Sequence, residues 1–247
     1  MTELVRREDR GGWTLLTLNR PEKLNALTVG MFRELRGHVA DLKRDASIGC
    51  VVLRGAGRCF SAGHDLADIA AGEETPSRGW HSETLRMLEK LPKPVIAAVH
   101  GHCYTGALEV ALAADFIVAA DSARFGDTHA KWALTPIWGM SQRLPRRVGV
   151  ATAKWLMFTA DMIDAAEAVR IGLAEYAVPL ADFDAEIEAL AGRILANSAF
   201  SHAANKRLLE ATDAGPLDAG LQWEVMENEG AGPDMRERIA AFTTKAG

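Results

Sequence analysis

Glu109 is the residue whose surroundings point most directly to chemistry. It stands alone in the run Ala107, Leu108, Glu109, Val110, Ala111, Leu112, Ala113, Ala114. A helix that is apolar on every face is buried, and a carboxylate carried into it is strongly disfavoured unless it is paired, hydrogen-bonded or protonated. A carboxylate so placed suits acid/base work in a cleft. The bland reading is a helix start that reaches solvent, where the helix dipole favours negative charge. Two loops follow apolar strands and lead into short helices: CFSAGHDL (Cys59 to Leu66) and HGHCYTGALE (His100 to Glu109). Glycine in each lets backbone approach a ligand, and N–H groups at a helix start attract negative charge. Together the loops could form an oxyanion hole.

Competing templates fit less well. GAGRCF (Gly55 to Phe60) begins like a dinucleotide fingerprint but has Phe60 where the third glycine belongs. Ser61 lacks the glycine two residues earlier that a nucleophile elbow requires. Cys50, Cys59 and Cys103 have no CxxC spacing and read as buried thiols in a reducing compartment, and the apolar setting of Cys103 argues against a catalytic thiol. His81, His100, His102 and His202 show no metal-ligand spacing, so no metal is expected. Asp65, just before a short helix, reads as its N-cap rather than as a catalytic group.

These residues must be positioned by elements that the hydrophobic pattern outlines. WTLLTLN (Trp13 to Asn19) after Gly11-Gly12 reads as the second arm of a hairpin. Met31, Phe32, Leu35, Val39 and Leu42 recur at helical spacing, and CVVLRG (Cys50 to Gly55) follows as a strand. A helix from Trp80 to Leu91, a strand VIAAVHG (Val95 to Gly101), a short helix from Gly106 to Ala114 and a strand FIVAA (Phe116 to Ala120) continue an α/β rhythm. The core is expected to span residues 1–190, and residues 191–247 to form a helical region that packs on the core or on a neighbouring subunit.

At 247 residues, 48% of them hydrophobic and 25% charged, the chain has the composition of an ordinary globular protein. Its net charge of -5, without a basic stripe, disfavours nucleic acid as a partner. The start, MTELVRREDRGGW, has no apolar stretch after its basic residues, so neither a secretory signal nor a membrane association is expected and the cytoplasm is the expected location.

RPEKLNALT (Arg20 to Thr28), FSAGHDL, the segment Gly106 to Glu109, FGDTHAK and QRLPRRVG (Gln142 to Gly149) occur in order along the chain. In this it resembles the crotonase (enoyl-CoA hydratase/isomerase) superfamily. The resemblance implies an α/β fold, a crotonase-like spiral of β-β-α units with a C-terminal helical trimerisation region, and a homotrimer or dimer of trimers. It further implies an acyl-CoA substrate and no cofactor. The thioester oxygen would be held by the backbone N–H groups of His64 and Gly106, and the first catalytic glutamate falls on Glu109. The position of the second is His129, an imidazole able to donate, accept and shuttle a proton, with Asp127 as a possible assistant. The bland reading of His129 is a loop residue without a chemical task.

Coenzyme A contacts would fall on Lys23, Ala26, Arg58, Ala62, Phe242 and Lys245. The usual Pro-Gly-x-Gly-Gly turn reads here Pro136, Ile137, Trp138, Gly139, Met140. The bulk of Trp132, Trp138 and Met140 could reshape an acyl pocket, although large aromatics are more often core. Hydration of a 2-enoyl-CoA is the leading expectation. Double-bond isomerisation, C–C or thioester hydrolysis, and a silent acyl-CoA binding protein are the alternatives.

Overall fold

Apolar runs closed by glycine become parallel strands covered on both faces. The structure, a computed structural model, describes residues 3–213 and 215–245, and of residues 213, 244 and 245 the backbone alone. Strands β1 (Val5–Arg10) and β2 (Trp13–Leu18) make the expected antiparallel hairpin. Helix α1 (Val29–Arg44) begins where the Thr28 hydroxyl accepts from Met31 N–H at 3.2 Å, and it buries Met31, Phe32, Leu35, Val39 and Leu42, the stripe read from the spacing.

Strand β3 (Cys50–Gly55), helices α2 (Leu66–Ala71) and α3 (Trp80–Glu89), strands β4 (Val95–Val99) and β5 (His102–Tyr104), and helix α4 (Gly106–Ala111) follow. Next come β6 (Phe116–Ala120), β7 (Arg124–Gly126), α5 (Met140–Val148), α6 (Val150–Thr159), β8 (Ile163–Asp164), α7 (Ala165–Arg170) and β9 (Tyr176–Val178).

The larger sheet has the order β1-β2-β3-β4-β6-β9, and the smaller one β5-β7-β8. Two successive coils of the chain each give one strand to the large sheet and then one to the small: β4 is followed by β5, and β6 by β7. After β3, Ser61 makes a single parallel bridge to Cys103 of β5, so the loop before α2 occupies the corresponding place in the first coil. This repetition is the β-β-α spiral that the resemblance implies.

Alternation along the strands explains their continuous apolarity. Val51, Leu53, Ala97, Val99, Ile117 and Ala119 face a core shared with α1, α3 and α4. Cys50, Val52, Ile96, Ala98, Val118 and Ala120 face Phe183, Ile187, Ala191 and Ile194 of α8 (Phe183–Leu195). The boundary placed after residue 190 therefore falls inside a helix that covers the sheet. Burial pushes the Cys50 thiol up to about 12 and that of Cys103 well above its ordinary value, as expected of unreactive thiols.

Helices α9 (Ala199–Leu209), α10 (Leu217–Glu227) and α11 (Met235–Lys245) complete the chain. Among the described residues, no helix is long and apolar enough to cross a membrane. The tail is tied to the sheet by Lys206, whose ammonium donates to Asp115 Oδ2 at 2.7 Å and to the Lys93 carbonyl at 3.0 Å. Burial raises the Asp115 pKa against the opposing charge and hydrogen bond of Lys206. Lys206→Ala would leave that carboxylate with the Val95 N–H but without its ion-pair partner. It is expected to lower stability by about 2 kcal/mol, less than the loss of a fully buried pair because the Asp115 side chain keeps 27% exposure. A fall in the urea midpoint at constant m-value would register it, and an unchanged midpoint would show the tie to be inconsequential.

Candidate active site

The two glycine-bearing loops lie against each other at the same end of the spiral. Asn25 fixes the first: its buried amide donates to the carbonyls of Ala56 (2.8 Å), Cys59 (2.9 Å) and Phe60 (3.2 Å). Ser61 is fully buried, donating to the Asn25 carbonyl at 2.8 Å and accepting from Gly63 N–H at 3.1 Å, so it braces the loop and is no nucleophile. Leu27 N–H donates to Gly63 O at 2.8 Å and Asp65 N–H to Leu27 O at 2.9 Å. Successive N–H groups of an extended segment point to opposite sides, so the His64 N–H faces away from Leu27. It faces α4: a Cβ built on Gly106 would lie 3.3 Å from His64 N. Gly63 is required here, since its φ is +103° and a Cβ would meet the Tyr104 carbonyl at 2.6 Å. Asp65 caps α2 by accepting from Ala67 N–H at 3.0 Å, as its sequence position suggests, and the structure adds an ion pair with Arg20 at 3.1 Å.

On the second loop, Thr105 adopts φ 53° and ψ −112°, a strained conformation for a β-branched residue. Its hydroxyl lies 2.6 Å from that of Thr128 and accepts from Thr128 N–H at 3.0 Å, while its own N–H donates to Gly126 O at 2.8 Å. These bonds hold Gly106 as the first residue of α4, where a helical N–H has no partner within the helix.

Glu109 lies one turn further, 1% exposed. Its Oε1 accepts from the backbone N–H groups of Trp138 and Met140, both at 2.9 Å. The solvent-facing reading of Glu109 therefore fails, because the carboxylate is buried and tethers the start of α5. Its Oε2 lies 4.0 Å from His129 Nε2. On the other side of the imidazole, His129 Nδ1 is 2.6 Å from Asp127 Oδ1, in the geometry of a donated N–H that leaves Nε2 facing Glu109. Burial raises the Glu109 pKa, outweighing the Met140 and Trp138 N–H groups and the charge of His129. For His129, burial opposes the charged form, but the hydrogen bond and charge of Asp127 and the charge of Glu109 overcome it and raise the pKa.

A cavity of about 580 Å³ brings together Ala62, His64, Gly106, Glu109 and His129. Trp132 and Trp138 also line it, while Met140 is fully buried in the core. Lys23 and Arg58 are exposed and Ala26 is half-buried, all outside this lining. Phe242 lies on α11, 75% exposed, and the Lys245 side chain lies outside the described residues. Sequence reasoning overlooked Glu73, which also lines the cavity, and His81 behind it. Among the described residues, no group of three or more His, Cys, Asp or Glu side chains is arranged to hold a metal ion.

The profile of the family described as enoyl-CoA hydratase/isomerase matches residues 8–245. The chain belongs to this family. It is 37% identical to a probable enoyl-CoA hydratase of Rhodobacter capsulatus, over 98% of this chain and 95% of that one. The crystal structure of an enoyl-CoA hydratase from Bacillus anthracis superimposes with a TM-score of 0.93 at 33% identity, covering 98% of this chain and 96% of the other. A monofunctional enoyl CoA isomerase from M. smegmatis matches with a TM-score of 0.78 at 34% identity, covering 90% and 99%. The chain is thus an enzyme of the hydratase/isomerase family, with the crotonase fold.

Proposed function

We propose that the protein is an enoyl-CoA hydratase in which Glu109 and His129 together hold and activate the water. The observation that carries this reading is the 4.0 Å separation of Glu109 Oε2 and His129 Nε2, both on the cavity wall. That distance is too long for a direct hydrogen bond and suits one water oxygen bonded to both. The Glu109 carboxylate accepts a proton from water as its oxygen attacks the β-carbon. The enoyl π electrons pass to the thioester oxygen, which the N–H groups of His64 and Gly106 stabilise by about 3 kcal/mol each. The enolate then collapses, and its α-carbon takes the Nε2 proton of His129, which Asp127 keeps charged. Proton transfer from Glu109 to His129 resets the pair, and the product is a 3-hydroxyacyl-CoA.

Coenzyme A would lie across the 20–28 loop, with Lys23 and Arg58 free to meet phosphates and Ala26 and Ala62 offering backbone. The exposed apolar side chains of α10 and α11, among them Leu217, Val225, Ile239 and Phe242, support a homotrimer in which these helices are covered. Phe242 would then approach a neighbour's coenzyme.

Incubation with crotonyl-CoA tests the reaction. Loss of the conjugated absorbance with a product heavier by one water is expected. The M. smegmatis relative makes a second reading concrete: a product of unchanged mass from a 3-enoyl-CoA, without hydration of crotonyl-CoA, would replace hydratase by isomerase.

A further inference from the structure

Glu73 leaves α2 just after its C-cap at Gly72 and turns back into the cavity beside His64. His64 Nε2 and Glu73 Oε2 are 2.9 Å apart, and His81 Nε2 of α3 is 3.9 Å from Glu73 Oε1. None of these atoms, His64 Nε2, Glu73 Oε2 or His81 Nε2, has a hydrogen bond of proper geometry, and neither has the buried indole N–H of Trp138. The cluster is held by tilted and edge-on ring contacts: the Trp138 ring lies 4.6 Å from His64, 4.8 Å from His81 and 4.8 Å from Phe32. Around it the wall is apolar, with Leu66, Ile69, Leu134 and Ile137.

A plain alkyl chain docked here would lie against buried polar groups and give them no hydrogen bond, which is unfavourable. A hydroxyl is different. It can donate to the Glu73 carboxylate and accept from an imidazole or indole N–H at once. A terminal carboxylate on the acyl group would instead meet Glu73 as a like charge. Burial pushes the pKa of His81 down to about 4, so at neutral pH it is an uncharged imidazole that does not offset that repulsion.

On the basis of the hydratase reading above, we propose that His64, Glu73 and Trp138 form a receptor for a hydroxyl group on the substrate's acyl chain, making the natural substrate a hydroxylated enoyl-CoA. The backbone N–H of His64 serves the thioester oxygen while its side chain selects the acyl group. Glu73 is a specificity residue with no part in the proton transfers.

Saturated esters cannot be hydrated, so their binding separates this proposal from the reaction. Titration calorimetry on the intact protein would compare 4-hydroxybutyryl-CoA and 6-hydroxyhexanoyl-CoA with butyryl-CoA, hexanoyl-CoA and succinyl-CoA. At least one hydroxylated ester is expected to bind about tenfold more tightly than its alkyl counterpart, and succinyl-CoA more weakly than either. Glu73→Leu is expected to abolish the preference, so that the hydroxylated and alkyl esters bind with affinities within about twofold of each other. Equal or tighter binding of both alkyl esters, or tightest binding of succinyl-CoA, would overturn the hydroxyl receptor and leave the hydratase reading standing. A protein that binds no CoA ester would overturn both. If Glu73→Leu does not fold, Glu73→Gln serves: it keeps a hydrogen-bonding group without the charge, and should retain part of the preference and relieve the exclusion of succinyl-CoA.

Discussion

Glu109→Gln is expected to lower kcat for crotonyl-CoA by about a thousandfold while leaving the structure intact, the scale of loss seen when a positioned acid/base is removed. The substitution is informative because the two oxygens of Glu109 have different tasks. Oε1 accepts from Trp138 and Met140 N–H, and a glutamine carbonyl can continue to accept both, keeping the start of α5 in place. The other oxygen, facing His129, becomes an amide that cannot take a proton from water. Alanine at this position would strand two buried N–H groups and confuse catalysis with folding.

Stability should move the other way. The pKa of Glu109 is raised in the folded protein by burial, so its contribution to stability is present at acid pH and lost as pH rises through that raised value. Near neutrality and above, the neutral amide is therefore expected to melt at or above the wild-type temperature. Full activity in Glu109→Gln would remove the carboxylate from the mechanism, and the water would have to be activated by His129 alone.

Glu109 is legible in the sequence because a single carboxylate in an apolar helix stands out without any tertiary knowledge. The strands are legible for a related reason: residues such as Val51 and Val52 are apolar on both faces because one packs towards α1 and the other towards α8. His129 is reached only by counting along the resemblance, and nothing in its neighbours announces that Asp127 and Glu109 flank its two nitrogens. Glu73 and His81 lie in a loop and a helix with ordinary polar composition. Their proximity to His64 is a product of how α2 and α3 fold over the cavity, and no spacing rule encodes it.

Lys23 and Arg58 show the converse limit. They belong to the right loops, yet an exposed cation has the same local pattern whether it meets a phosphate or water. The strain at Thr105 is equally invisible in one dimension. Its left-handed φ is imposed by bonds to Thr128 and Gly126, residues brought alongside by the pairing of β5 with β7. The same pairing leads into Gly106 and Glu109 from β5 and into His129 from β7, so the proposed Gly106 donor and the proposed acid/base pair are positioned by one structural unit.

His129→Ala is expected to reduce kcat by about a hundredfold and to change the shape of the pH profile. Under the proposed mechanism, Glu109 must be ionised and His129 protonated for the cycle to begin. Burial raises the Glu109 pKa, so the acid limb should lie above the ordinary carboxylate range. Burial works against the charged imidazole, but Asp127 and Glu109 together hold the His129 pKa above its ordinary value, so the alkaline limb should lie above the normal imidazole range. The profile of kcat/KM is then a bell between these two raised values, which belong to the coupled pair. Removing His129 should erase the alkaline limb. It should also move the acid limb to higher pH, because the charge of His129 opposes the effect of burial on Glu109 and its loss raises the Glu109 pKa further. The alkaline limb is the discriminating one: removing a purely structural imidazole would lower the rate at every pH and leave that limb where it was, whereas a proton donor cannot be removed without the alkaline limb going with it.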